Sequence, residues 1–200
     1  SKFFLHETDS QKRNKTTIDD VMYIIDTDVT IKNKLSMRKF FWEMFVVDAF
    51  IGNTDRHLDN WGVTASPDGK ISPAPVYDCG SALSPLESDQ QKKRLLEDPT
   101  RFKNLEYNIC SVYRYHGKRV FYHEILKTPP DDLHRSILEI VPRIKFAAPR
   151  IDALIDATEG MTDISKAYMK KSLAMRLNQM LLPAWKKAQE RQASEDGGSR

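Results

Sequence analysis

Glycine is scarce in this chain, with 8 among 200 residues and none before Gly52, and cysteine is scarcer still, with only Cys79 and Cys110. Two cysteines outside any C-x-x-C pair exclude a four-thiolate zinc site, so both are expected to be reduced structural thiols. Long apolar runs are missing as well. Phe45-Val46-Val47 stops at Asp48, far short of the roughly 18 apolar residues a membrane span needs. Ser1 to Ser10 lacks the apolar core of a signal peptide. A cytoplasmic protein with no membrane partner is expected. Charge of one sign does not dominate either: 31 Lys and Arg face 28 Asp and Glu, a net +3, well below the excess of a dedicated nucleic-acid binder. What is present is 40% hydrophobic, 10% aromatic and 30% charged, which excludes collagen-like, low-complexity and disordered classes. The length suits one domain or two small lobes. No methionine opens the chain, and Gly197-Gly198-Ser199-Arg200 closes it; a fragment of a longer protein, with a flexible tail over 193–200, is expected.

Hydrophobic spacing predicts a mainly helical chain interrupted by one strand-and-turn region. Thr16-Thr17-Ile18-Asp19-Asp20 offers a hydroxyl cap and first-turn acids ahead of Ile18, Val21, Met22 and Ile25 at helical spacing. Ser36 is the expected cap of a second helix, with an apolar face of Met37, Phe40, Phe41, Met44, Phe45, Val47 and Ile51, ending at Gly52. Trp61 to Ala65 and Ile71 to Tyr77 flank Ser66-Pro67-Asp68-Gly69-Lys70, which reads as a β-hairpin because Asp-Gly tolerates the positive φ of a tight turn. Further helices are predicted at Gln90 to Glu97, Leu133 to Val141 and Ala148 to Ala157, with a β-prone stretch around Tyr107 to Val120. A long last helix is expected from Asp163 towards Glu190, kinked or broken at Pro183.

Chemistry concentrates in Gly52-Asn53-Thr54-Asp55-Arg56-His57-Leu58-Asp59-Asn60, directly after the apolar helix, and in Val76-Tyr77-Asp78-Cys79-Gly80, where a strand delivers an acid before the chain turns away. Phosphoryl transfer needs metal ions on the phosphate oxygens and a base for the attacking hydroxyl. Mg²⁺ takes one or two protein oxygens beside phosphate and water, a role that suits Asn60 and Asp78. Asp55 precedes Asn60 by the interval separating base and metal-binding asparagine in the protein-kinase catalytic loop.

The Asn53-x-Asp55-x-His57-x-x-Asn60 loop, Phe50-Ile51-Gly52 before it and Pro75-Val76-Tyr77-Asp78-Cys79-Gly80-Ser81 after it resemble the C-terminal lobe of HipA-like serine/threonine kinases. The resemblance implies a mainly α, α+β fold of the kinase C-lobe type: a helical bundle with a small hairpin between catalytic loop and metal-binding aspartate, in one lobe over residues 1–192. It implies Asp55 as the catalytic aspartate, Asn60 and Asp78 as holders of Mg²⁺ on ATP, and His57 and Tyr77 as lining of the nucleotide site. Asn53 is expected to shape the loop. A protein serine or threonine is the implied acceptor, and the family includes toxins of toxin–antitoxin systems. A complete HipA-like kinase also carries a β-rich lobe with a phosphate-binding loop and an ATP-contacting lysine, and neither is found upstream of residue 52. That lobe or an antitoxin is therefore an expected partner.

Other readings compete. An inactive module docking an antitoxin-like repressor, with DNA contacted only indirectly, accounts for the missing lobe and the basic last helix. A two-metal phosphoesterase would need more His and carboxylate ligands than the loop supplies. Asp59 and Arg56 read as solvated or structural, and His6, His116, His123 and His134 as surface or core-edge residues. Cys79 reads as a small buried side chain, since Mg²⁺ does not seek sulfur. Lys92-Lys93-Arg94, Lys170-Lys171 and Lys186-Lys187 read as solvated helix surface.

Overall fold

The computed structural model describes residues 2–4, 16–84 and 86–197. His6 and the last three residues of the expected tail lie outside them. The first helix, α1 (Ile18–Thr27), starts as its sequence predicts: Thr17 Oγ1 accepts from the Asp20 N–H at 3.0 Å, and the Asp20 carboxylate accepts from the Thr17 N–H at 2.8 Å. The second helix, α2 (Lys34–Ile51), begins earlier than Ser36, because Asn33 Oδ1 accepts the Ser36 N–H at 2.9 Å and so serves as the cap. Apolar residues on more than one face bury α2: Trp42, Val46, Ala49 and Phe50 are buried along with Phe41 and Phe45, while Val47 is exposed. Phe41 packs edge-on against Trp42 and Tyr113, and Trp61 Nε1 donates to the Tyr113 hydroxyl at 2.9 Å.

Strands β2 (Gly62–Ala65) and β3 (Ile71–Pro73) form the expected hairpin, with Thr64 opposite Ser72, but β3 stops at Pro73 instead of running to Tyr77, so Tyr77 and Asp78 stand in the loop after the strand and not on it. A strand that periodicity did not reveal, β1 (Lys2–Phe4), pairs antiparallel with β2. The helix α3 (Asp89–Glu97) is followed by α4 (Pro99–Tyr107), whose cap Asp98 and N-terminal proline went unread. A second hairpin, β4 (Cys110–Tyr115) and β5 (Lys118–Phe121), turns through His116 and Gly117, both at positive φ. A short helix α5 (Tyr122–Lys127) follows.

Two of the expected helices are one. The helix α6 (Asp131–Ala157) runs through Pro142 and Pro149. Proline in a helix interior costs a hydrogen bond and crowds the preceding turn, but Leu133, Ile137, Ile140, Val141 and Ile144 are all buried, and that burial, of order 1.5–3 kcal/mol per large side chain, outweighs the break. The C-terminal helix is divided, though not at Pro183. A regular segment α7 (Asp163–Arg176) passes through a π-helical turn, Leu177–Leu181, into α8 (Leu182–Gly197). The Leu182 N–H reaches back to the Leu177 carbonyl, and this wider turn makes room for Pro183 in the first turn of α8. Residues 193–197 of the expected tail belong to α8. No helix among the described residues is long and apolar enough to cross a membrane.

Three further expectations are corrected. Cys79 is exposed, with Sγ accepting from Arg56 Nη2 at 3.2 Å. Lys92 is buried and donates to Ser165 Oγ at 3.0 Å. His134 is buried, with Nε2 3.0 Å from the Ala188 carbonyl.

Candidate active site

The catalytic-loop candidate begins where α2 stops. Gly52 ends the helix at φ +71°, and a Cβ there would lie 2.7 Å from Arg176 Cζ, so both backbone and packing require glycine. Asn53 then ties the loop to α2, to Ser81 and to α5. Its N–H donates to the Asp48 carbonyl and its Nδ2 to Asp48 Oδ1, both at 2.9 Å; its Oδ1 accepts from the Asp55 N–H at 3.2 Å and from Ser81 Oγ; its carbonyl accepts from the Tyr122 hydroxyl at 2.7 Å. Burial, reinforced by the Asp48 charge, holds the Tyr122 phenol well above its ordinary range, so it stays a donor.

Arg56 is the hub. It is buried and meets the equally buried Asp48 of α2 through Nε to Oδ2 at 2.9 Å and Nη2 to Oδ1 at 3.1 Å. Nη1 donates to the Asn60 carbonyl at 2.8 Å and also to the Tyr77 carbonyl. One nitrogen thereby ties the end of the loop to the residue before Asp78. Burial pulls the guanidinium down, but its bonds to Asp48 and Cys79 more than offset this and leave it a firmly held cation. Burial pushes the Asp48 carboxyl up, while Arg56 and Asn53 pull it back.

Around this hub stand the residues singled out from the sequence. The Asp55 side chain is 61% exposed, free for an incoming hydroxyl to approach. Asn60 is buried, and its Nδ2 donates to the Asp55 carbonyl at 2.6 Å, which leaves Oδ1 as the oxygen available to a cation. His57 is half-buried between two acids, with Nε2 3.8 Å from Asp55 Oδ2 and Nδ1 3.9 Å from Asp59 Oδ2. Tyr77 donates its hydroxyl to the Asp59 carbonyl at 2.9 Å, and burial, then Asp59, raise its phenol. Asp78 is exposed at φ +54°, and Leu83 and Ser84 also occupy the left-handed region. Each such non-glycine residue costs of order 1–3 kcal/mol and persists because the surroundings hold it. Among the described residues no group of three or more His, Cys, Asp or Glu could hold a metal ion. The oxygens of Asn60 and Asp78 nonetheless fit Mg²⁺, which draws most of its shell from phosphate and water.

Below the loop lies a second buried pair. Arg176, at the end of α7, donates Nη1 to the Phe50 carbonyl at 3.0 Å and pairs through Nη2 with Glu106 of α4, whose other oxygen accepts the Tyr168 hydroxyl at 2.6 Å. Burial, only partly offset by Glu106, lowers the Arg176 guanidinium. Asp48, Glu106 and Arg176 were missed in the sequence. The one available signal was Asp48 interrupting an otherwise apolar helix.

Comparison with known proteins places the chain in a family. The model of the HipA-like C-terminal domain matches residues 4–141, and the chain belongs to that family. The serine/threonine-protein kinase CtkA of Helicobacter pylori strain J99 is 34% identical over 170 residues, covering 83% of this chain and 51% of the relative. The crystal structure of the H. pylori proinflammatory kinase CtkA matches at a TM-score of 0.83 and 32% identity, over 90% of this chain and 66% of that one. The mainly helical fold with small antiparallel hairpins is therefore that of a HipA-type kinase lobe. The chain spans about half the length of the curated relative.

Proposed function

We propose that this chain is the C-terminal catalytic lobe of a HipA-like serine/threonine protein kinase, acting with ATP and Mg²⁺ on a protein hydroxyl. The observation that supports this most is the double use of Arg56 Nη1, which holds the backbone carbonyls of Asn60 and of Tyr77, the residue before Asp78, on one buried cation. Family membership and a kinase relative support it further.

In this reading Asp55 orients the acceptor hydroxyl and takes its proton, a role for which its exposure is needed. Asn60 Oδ1 and the Asp78 carboxylate hold the metal, and the rings of His57 and Tyr77 line the nucleotide site. Bound Mg-ATP supplies the phosphoryl group and neutralises charge on its oxygens. Asp48 and Arg56 touch no substrate; they keep the loop in register, so that little reorganisation remains at the moment of transfer. Transfer of labelled phosphate from ATP to a protein acceptor is expected to fall by about 10²–10⁴ in Asp55→Asn with the thermal midpoint unchanged. Undiminished transfer in the folded variant would remove Asp55 from the mechanism. The finer reading as a toxin predicts that induced expression arrests bacterial growth and that Asp55→Asn relieves the arrest; arrest by the variant would contradict it.

A further inference from the structure

Two cavities meet beside the catalytic loop. The smaller, about 260 Å³, lies between Thr54, the neighbour of Asp55, and Ser81, Ser84 and Glu87. The larger, about 590 Å³, continues along α3 and α4 past Gln91, Arg94 and Arg101. Glu87 and Leu105 line both, so one groove leads from the loop onto the two helices. Its combined size suits a ligand larger than a single side chain. Leu86 at 93% exposure and Leu105 at 44% give it an apolar wall.

The polar groups along this groove are unequal. Glu106 has both oxygens engaged, by Tyr168 and Arg176. Glu87, at the junction, is half-buried on the walls of both cavities, and no hydrogen bond or ion pair engages it among the described residues. A carboxylate so placed is the group that a guanidinium or ammonium entering the groove meets with charge-assisted hydrogen bonds. Further along, Arg94 and Arg101 are exposed, and no ion pair engages either among the described residues.

We propose that this groove seats the acceptor-bearing segment of the substrate protein as an extended peptide. A lysine or arginine close to the acceptor hydroxyl rests on Glu87, and acidic residues farther along face Arg94 and Arg101. The proposal rests on the kinase reading and deepens it by assigning Glu87 as a specificity determinant. The charge order supports a peptide of this composition: acceptor hydroxyl by Asp55, cation at Glu87, anion at the arginines.

Peptide binding tests it without turnover. Labelled peptides carry one serine with an arginine moved from three positions before it to three after, each paired with a citrulline version, and their binding to the Asp55→Asn protein is read by fluorescence anisotropy. At one arginine position the affinity is expected to be about tenfold above that of the citrulline peptide. Glu87→Gln, added to the same protein, is expected to erase that preference with the thermal midpoint unchanged, and Glu87→Arg to turn it towards a glutamate peptide. Equal binding of arginine and citrulline peptides at every position would overturn the proposal. So would a preference that survives Glu87→Gln, or no peptide binding at all. Failure of the kinase reading shows separately, as ATP binding that ignores Mg²⁺ or the Asp78 carboxylate.

Discussion

Two buried arginines flank the end of α2, and they are built differently. Arg56 finds its acidic partner eight residues away; every nitrogen of its guanidinium has an acceptor, and it is held firmly protonated. Arg176 finds Glu106 at a separation of 70 residues; its Nε has no partner among the described residues, and burial lowers its pKa. A satisfied charge rigidifies what it touches, whereas a part-satisfied one carries a desolvation cost offset by the segments it joins. Arg56 therefore sets the geometry of the site, and Arg176 clamps α7 and α4 beneath it.

Removing the better-satisfied arginine should break the most. Arg56→Met leaves the Asp48 carboxylate buried and unpaired, and a loss of about 3–5 kcal/mol is expected, read from urea denaturation. Arg56→Lys keeps the charge but not the fork, so it should recover part of the stability without restoring metal-dependent ATP binding. Arg176→Met should cost less, about 1.5–3 kcal/mol; a cost equal to that of Arg56→Met would erase the distinction. Gly52→Ala meets both a left-handed φ and the Arg176 guanidinium, for which about 1–3 kcal/mol is expected. Because the second obstacle is Arg176 itself, the double variant Gly52→Ala, Arg176→Met should lose less than the sum of the single losses.

A third arginine sets the lower end of the scale. Arg38 bonds Asp26 and Asp132 at the surface, and its hydrogen bond holds the Asp26 carboxyl below the ordinary value of 3.8. A lowered folded pKa contributes stability that is present above the unfolded value and is lost as pH falls through the folded one. Asp26→Asn should therefore flatten the acid side of a stability–pH curve. With the Asp26 side chain 41% exposed, the change at neutral pH should stay within roughly 1 kcal/mol.

The parts of this architecture legible in the sequence are those carried by local signals. Thr17 and Asp20 cap α1 from within one turn, the Asp-Gly pair turns the β2–β3 hairpin, and Asp55, Asn60 and Asp78 stand at spacings set by one loop and one hairpin. The parts that stayed hidden depend on distant partners. Glu106 and Arg176 look like ordinary solvent-facing helix residues until α4 and α7 are packed together. For Arg56 the structural reading holds and the solvated one does not, because the carbonyls of Asn60 and Tyr77 converge on it together with Asp48. Continuity of α6 through Pro142 and Pro149 was likewise decided by core burial against local propensity.

The central claim is that Asn60 and Asp78, held through Arg56, bind a metal–nucleotide complex. Equilibrium titration of ATP into the wild-type chain, Asp55→Asn and Asp78→Asn, each with and without Mg²⁺, tests it most directly. The account predicts Mg²⁺-dependent binding by the wild type and Asp55→Asn, lost in Asp78→Asn. ATP binding that ignores Mg²⁺, or that persists unchanged in Asp78→Asn, would contradict it.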